Sequence, residues 1–379
     1  MAESSCREDG GKSAKRLAVV FFNLGGPDSL EAAQPFLFNL FNDPAIIRAP
    51  APVRWMLAQF ISRRRAPFTR EIYKKIGGRS PLVPETEKQA AALTAEVKRQ
   101  FGAEILVSIA MRYWRPFASE SVREVAAFDP DEVLLLPLYP QFSTTTTASS
   151  VEDWEKEAKK AGLNVPVTVC CCYPDDPHFV RAHAASLAGP LKNQRDKGPV
   201  RLLYSAHGLP QKIVDAGDPY AWQVERTAAA VSACLEEEFG IEGIDWTVCY
   251  QSRVGPLKWL EPSTEHEIER AGAEGVSLVL TPIAFVSEHS ETLVELDMDY
   301  AELARSAGVP DYVRIAALGD DPEFVRCLAG LVGRAMDSDA VRAGARLCPV
   351  DKARGFGDCA FSGACTKSRI WSGGAGMEG

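Results

Sequence analysis

The chain has 379 residues, 46% of them hydrophobic and 25% charged, with 29 Gly and 25 Pro, a composition that excludes a disordered, collagen-like or coiled-coil protein. At roughly 100–200 residues per domain, this length predicts two domains, each large enough to bury its own core, with one cleft between them. The net charge of −9 opposes binding to an extended polyanion such as nucleic acid and suits a cationic ligand.

Residues 1–15 (MAESSCREDGGKSAK) are polar and lack an apolar stretch, so they read as a disordered tail and not as a signal peptide. No segment reaches the roughly 20 uninterrupted apolar residues of a membrane span, and a cytoplasmic location is expected. The 10 cysteines therefore read as reduced thiols or metal ligands, not disulfides. Cys170, Cys171 and Cys172 form a run, while Cys348, Cys359 and Cys365 sit in a Gly-rich tail.

Short runs rich in Val, Ile and Leu alternate with longer helical patterns, as in parallel strands joined by crossover helices. Strands are predicted near 17–23, 104–111, 133–138 and 166–172, then near 200–205, 246–251, 276–283 and 312–317. The two sets also share sequence: DDPHFVR at 175–181 and DDPEFVR at 320–326 lie 145 positions apart, as do Pro137 and Pro282. A duplicated unit is the simplest account, although Asp-Asp-Pro is also an ordinary helix start. The expected fold is α/β: two similar doubly wound, Rossmann-like domains with four-stranded parallel sheets and a cleft between them. The expected boundaries are 16–185 and 190–335, with a lip at 44–80 and a Cys-containing tail at 336–379.

In open parallel sheets ligands bind beyond the carboxyl ends of the strands, and the residues at those positions are polar. Asn23-Leu24-Gly25-Gly26-Pro27 lacks the G-x-G-x-x-G of a dinucleotide site, and Pro27 removes an N–H that would cradle phosphate. Its glycines read as a tight turn that admits a flat ligand. His207 ends a buried strand and is flanked by Gly208 and Pro210, which presents a neutral imidazole able to accept a proton or bind a metal. Glu288, Glu291, Glu295 and Asp299 are spaced +3, +4 and +4, which places four carboxylates on one helical face. Burial at the sheet edge would raise their affinity for a proton, and carboxylate with imidazole suits a divalent cation. The segment 50–65 combines Trp55, Met56 and Phe60 with Arg63, Arg64 and Arg65; it fits an interfacial helix, a lip over an apolar anionic ligand, or an ordinary core helix.

Seven motifs in order resemble the ferrochelatase family over almost all of residues 17–330: LGGPD (24–28), YKKIGGRSPL (73–82), MRYW (111–114), LYPQFS (138–143), SAHGLP (205–210), YQSRVGPLKWLEPST (250–264) and SEHSETLVELD (287–297). The resemblance implies an enzyme, a lyase that inserts Fe2+ into protoporphyrin IX to form protohaem, the last step of haem biosynthesis, with release of two protons. A chelatase for cobalt or another tetrapyrrole, or a non-catalytic tetrapyrrole binder, stays open as the alternative. It implies His207 and Glu291 as the catalytic and metal-site pair, and a π-type widening that lines up Glu291, Glu295 and Asp299, with Glu288, as an acidic path. Arg65 or Arg64 would meet the propionates, and Tyr73, Ser80, Arg112, Tyr113 and Trp259 would line the porphyrin pocket. Contact of segment 50–65 with the cytoplasmic face of the inner membrane is expected. Some members of the family carry a 2Fe-2S cluster on three C-terminal cysteines and one internal cysteine. Cys348, Cys359, Cys365 and Cys172 are the candidates here, although their spacing is wider than the family's, and a tail of unligated thiols stays open beside that reading.

Overall fold

The computed structural model describes residues 16–253, 255–337 and 346–347; the polar N-terminal stretch and Cys348, Cys359 and Cys365 lie outside the described residues. The eight expected strands form as β1 (Leu17–Asn23), β2 (Ile105–Met111), β3 (Glu132–Pro137), β4 (Val167–Cys170), β5 (Val200–His207), β6 (Asp245–Gln251), β7 (Ser277–Pro282) and β8 (Tyr312–Arg314). All pair in parallel, in the orders β2-β1-β3-β4 and β6-β5-β7-β8. Every residue of β1 is buried, as it must be in a central parallel strand covered by helices on both faces.

One strand escaped the sequence reading. The two-residue β9 (Arg346–Leu347) adds a fifth strand to the first sheet, pairing with Val169 and Cys170 of β4. Two residues are too few to show any hydrophobic period, so four strands were expected where five stand. Strands β4 and β8 also end earlier than their apolar runs suggest. After β4 the chain turns off the sheet, with Tyr173 N donating to Pro140 O at 2.8 Å.

The helix that follows the fourth strand of each half packs on the opposite sheet. Val180, Ala184, Leu187 and Leu191 of helix Pro177–Arg195 share a core with Leu202 and Val279 of the second sheet. Phe324, Leu328 and Leu331 of helix Pro322–Asp337 share one with Val19, Phe21 and Leu134 of the first. These helices begin at the two repeated heptapeptides. Asp176 caps the first, accepting from His178 N at 3.1 Å, and Asp321 caps the second, accepting from Glu323 N at 2.8 Å. Equivalent residues then meet: the rings of Phe179 and Phe324 lie 6.1 Å apart, and His178 Nδ1 is 2.6 Å from Glu323. The 145-residue offset in the sequence is thus a local two-fold relation in space.

A second set of contacts fixes the cleft. Buried Asp218 of the second half accepts from Ser143 Oγ (3.0 Å), Thr144 N (2.7 Å) and Thr144 Oγ1 (2.7 Å) of the first. Gln141 donates to Thr227 Oγ1 at 3.0 Å, and Phe142 N donates to Gln223 at 2.6 Å. Gln89 donates to the carbonyls of Val286 and Gly319, both at 2.9 Å, and accepts from Ser287 Oγ at 3.1 Å. Removing one partner of such a buried set strands the others at about 1–3 kcal/mol. The Ser-Thr run after β3 is therefore the join between the halves, and the C-terminal ends of both sheets are held at a set separation.

Candidate functional site

His207 is the last residue of β5, and its Nδ1 lies 2.9 Å from Glu291 Oε2. The strand ends there for a steric reason: a Cβ on Gly208 would sit 2.8 Å from Gln251 O and 3.4 Å from the Trp259 ring. Gly208 N donates to that same carbonyl at 2.9 Å, so the backbone turns closely against β6 while the imidazole stays at the sheet edge. Trp259 is brought over this turn by the bridge between Pro210 and Trp259.

Glu291 opens a nine-residue π-helix, Glu291–Asp299. Such widened i→i+5 helices are rare beyond one turn and concentrate at functional sites. One turn further along, Glu295 accepts from Ser252 N (2.9 Å), Gln251 Nε2 (3.2 Å) and Tyr300 OH (3.0 Å), and is also bonded by Ser252 Oγ. Ser252 adopts a left-handed backbone, with φ of 62°, a conformation costing about 1–3 kcal/mol for a residue with a side chain. Its hydrogen bonds to Glu295 hold it there. The last carboxylate of the series, Asp299, is largely exposed and 3.8 Å from Lys75.

The charges in this group oppose burial. Burial alone would lower the His207 pKa and raise that of Glu291, but each is the other's counter-charge, and the net result is a raised imidazole and a lowered carboxyl. Burial, reinforced by the nearby Glu291 charge, raises Glu295. The two carboxyls, one helical turn apart, are thus pushed in opposite directions. Burial also pushes the Tyr73 hydroxyl up to about 12, so it remains a neutral donor, 3.4 Å from Ser290 Oγ.

Tyr73 and Ser80 reach the same region from the first half. A Cβ on Gly26 would lie 2.4 Å from Ser80 Oγ and 3.4 Å from Tyr73 OH. The space beside Gly26 is filled by these two side chains, whereas the sequence suggested room there for a flat ligand. Arg65 is half-buried, over the ring of Phe41 at 5.8 Å. Arg112 and Tyr113, expected to line the pocket, are both held by Asp43. Arg112 pairs with Asp43 (2.7 Å) and Asp153 (3.5 Å), Tyr113 OH donates to Asp43 at 2.9 Å, and Tyr113 is only 1% exposed. These contacts fix both side chains against the first half. Glu288, grouped with the acidic series by its spacing, precedes the π-helix and is paired with Arg314, also accepting from Ala317 N at 2.8 Å.

Several members of the site carried no separate signal in the sequence. His289 is buried with its Nε2 3.9 Å from Glu291 Oε2 and its ring 4.4 Å from that of Phe285; burial lowers its pKa, so it is neutral. Gln251, Ser252 and Tyr300 serve Glu295, and Asp43 serves Arg112. Gln251, Ser252 and His289 were flagged only by the polarity of their strand ends and by lying within the motifs at 250–264 and 287–297. Among the described residues, no group of three or more His, Cys, Asp or Glu side chains is gathered as a metal-ion cage; His207 and Glu291 offer an imidazole and a carboxylate. Cys170, Cys171 and Cys172 are buried at the end of β4, and Gln223 Nε2 donates to Cys172 Sγ at 3.4 Å.

Comparison with known proteins places these features in one family. The profile of the family described as Ferrochelatase matches residues 16–336. The ferrochelatase of Phenylobacterium zucineum is 54% identical over 341 residues, covering 89% of this chain and 97% of that protein. That of Caulobacter vibrioides is 55% identical over 319 residues, covering 84% and 90%, and that of a Wolbachia strain from Drosophila simulans is 51% identical, covering 83% and 98%.

The coupling of His207 to Glu291 is directly measurable. The imidazole of His207, followed by NMR through its ring protons, titrates above the ordinary value of about 6.5, because Glu291 favours the charged form. In Glu291→Gln the midpoint falls below that value, since burial then acts unopposed. An unchanged midpoint would show that the two side chains do not interact.

Proposed function

The chain belongs to the ferrochelatase family, which makes it a lyase inserting ferrous iron into protoporphyrin to give protohaem, and we propose that His207 and Glu291 are the groups that remove the ring protons and meet the metal. The single observation that supports this assignment is the 2.9 Å contact from Nδ1 of His207 to Glu291 at the open end of β5.

A porphyrin carries two inner N–H protons, and both must leave as the ferrous ion enters, with no change in oxidation state. In the neutral imidazole, Nδ1 donates to the Glu291 carboxylate, so its proton is fixed there and Nε2 carries the lone pair. That nitrogen takes the two pyrrole protons in turn, releasing the first to solvent before accepting the second, and the carboxylate beside it stabilises the imidazolium formed each time. The elevated basicity of His207 improves it as an acceptor. The file Glu291, Glu295, Asp299 then runs from the half-buried pair to a carboxylate exposed over 60% of its side chain, a path for protons outward or cations inward. Glu288 is left out of it, because Arg314 holds that carboxylate. Imidazole and carboxylate also suit a ferrous ion in transit to the four ring nitrogens.

Tyr73, Ser80, Trp259 and Arg65 form the porphyrin pocket in this reading, with Arg65, beside the exposed Arg64, facing the propionates. Arg112 and Tyr113 support its wall from behind through Asp43. A pocket that favours a bent macrocycle stabilises a geometry close to the transition state. His207→Ala is expected to lower iron insertion at least about 100-fold while protoporphyrin still binds, as followed by its fluorescence. Turnover retained in that variant would remove His207 from the mechanism.

Helix Ala51–Lys75 turns apolar side chains outward: Trp55 is 52% exposed and Phe60 is 65% exposed, beside Arg63 and Arg64 around a shallow groove. No helix among the described residues is long and apolar enough to cross a membrane. We propose that this helix rests on the cytoplasmic face of an anionic membrane, aromatic side chains in the headgroup layer and arginines on phosphate. Co-sedimentation with anionic vesicles should fall several-fold in a Trp55→Glu, Phe60→Glu double variant; equal sedimentation would rule the contact out.

The tail supports one more proposal. Strand β9 runs beside Val169 and Cys170, so the chain leading to Cys348 passes next to the strand that continues into Cys171 and Cys172. Four cysteine thiolates are the donor set of a 2Fe-2S cluster, and Cys172, Cys348, Cys359 and Cys365 would hold it. Such a cluster supplies one-electron redox chemistry and a covalent tie between tail and sheet. Protein purified without oxygen should carry visible absorption with two iron and two sulfide per chain, both lost in Cys359→Ser; a colourless, iron-free chain would dismiss the cluster.

A further inference from the structure

The π-helix needs an external support, and the structure shows one. A helix of this width gives up close backbone packing, which is why runs longer than a turn are uncommon; here it continues through nine residues, Glu291–Asp299. Strand β8 holds it from the edge of the second sheet. Tyr312 OH donates to Leu296 O at 2.9 Å, taking a carbonyl within the widened segment. Arg314, only 10% exposed, makes a two-pronged contact with Asp297 inside the π-helix, one prong being Nε to Oδ1 at 2.6 Å, while its remaining Nη1 bonds Glu288 ahead of the helix. One guanidinium thus ties the segment before the π-helix to its middle.

We propose that Arg314 is a positioning residue for iron insertion: by bridging Glu288 and Asp297 it keeps the π register that sets Glu291 against His207 and Glu295 against Ser252. The inference rests on the assignment of His207 and Glu291 as the reacting pair. Glu288 then belongs to a structural clamp, its carboxylate serving Arg314 and the Ala317 N–H. Relaxation of the helix to 3.6 residues per turn would rotate Glu291 and Glu295 relative to their partners, and misplacement by about 1 Å from a distant change can cost on the order of 100-fold in rate. Arg314 itself touches neither substrate. Because the porphyrin pocket is built mainly from the first half, porphyrin binding is insulated from the clamp.

The experiment compares Arg314→Gln, Arg314→Lys and Asp297→Asn in the full chain. In Arg314→Gln, kcat for iron insertion should fall by roughly 10- to 100-fold with the KM for protoporphyrin unchanged. Arg314→Lys should recover only part of this, because an ammonium lacks the planar fork that spans two carboxylates. Asp297→Asn, a shape-conserving change at the surface, should reproduce the kcat loss in a chain that keeps its thermal midpoint, and the Arg314→Gln, Asp297→Asn double variant should be no worse than the worse single one. If Arg314→Gln does not fold, Asp297→Asn and Arg314→Lys decide. Wild-type kcat in Asp297→Asn and Arg314→Lys, or porphyrin KM rising in step with the loss, would overturn the proposal. Failure of the underlying assignment shows separately, as turnover that survives His207→Ala.

Discussion

A carboxylate cannot leave water without either a counter-charge or a proton, and the structure answers that constraint differently at Glu291 and Glu295. Glu291 is given an imidazole and stays charged; Glu295 is buried beside that like charge, and its affinity for a proton rises despite the hydroxyl and amide donors around it. Two acidic groups one turn apart thereby acquire different proton affinities without any difference in chemistry. The rest of the site follows from serving this pair. Gly208 lets β5 turn close to β6, Ser252 accepts a strained backbone to offer its N–H, and Tyr300 completes the shell of Glu295.

The pair would be of little use on a mobile frame, since a 2.9 Å contact between a strand end and a helix start depends on the placement of both. The second sheet fixes His207, and β8 grips the π-helix through Tyr312 and Arg314. The first half closes on this frame through buried polar contacts at Asp218 and Gln89 and through the exchanged helices. These joins are polar where they set geometry and apolar where they supply stability. A buried hydrogen-bond set tolerates few alternative arrangements, whereas packing of Phe179 on Phe324 mainly removes surface from water.

The two-fold relation between the halves clarifies how one architecture supports an asymmetric site. Apart from β9, both sheets have the same strand order, and both capped helices start from heptapeptides that differ at one position, yet the strand ends differ. The first half presents glycines, Tyr73 and Ser80; the second presents the imidazole and the carboxylates. The two similar halves frame the cleft, and their different strand-end residues give its two walls separate chemistry.

Composition and periodicity alone settled that the chain is an α/β protein of two related halves, because buried parallel strands are continuous apolar runs and a repeat at constant offset survives in the primary structure. The position of His207 and of the acidic series at strand ends marked the edge where ligands collect, and the resemblance of the motifs to the ferrochelatase family implied His207 and Glu291 as a pair. Spacing could not say which way a side chain turns. It grouped Glu288 with Glu291, and the fold gave them different partners, because Arg314, from a strand 26 residues further on, pairs with Glu288 while Glu291 meets His207. The family motifs set Arg112 and Tyr113 beside the pocket but carried no sign of the buried Asp43, 70 residues before Tyr113, that holds both. Spacing gave no sign of β9, of the exchange of helices, or of His289 beside Glu291. Strand and helix are local consequences of backbone and hydrophobic pattern and can be read along the chain. The partner of a charge is decided by whatever distant segment reaches it first in three dimensions, and only the tertiary structure contains that.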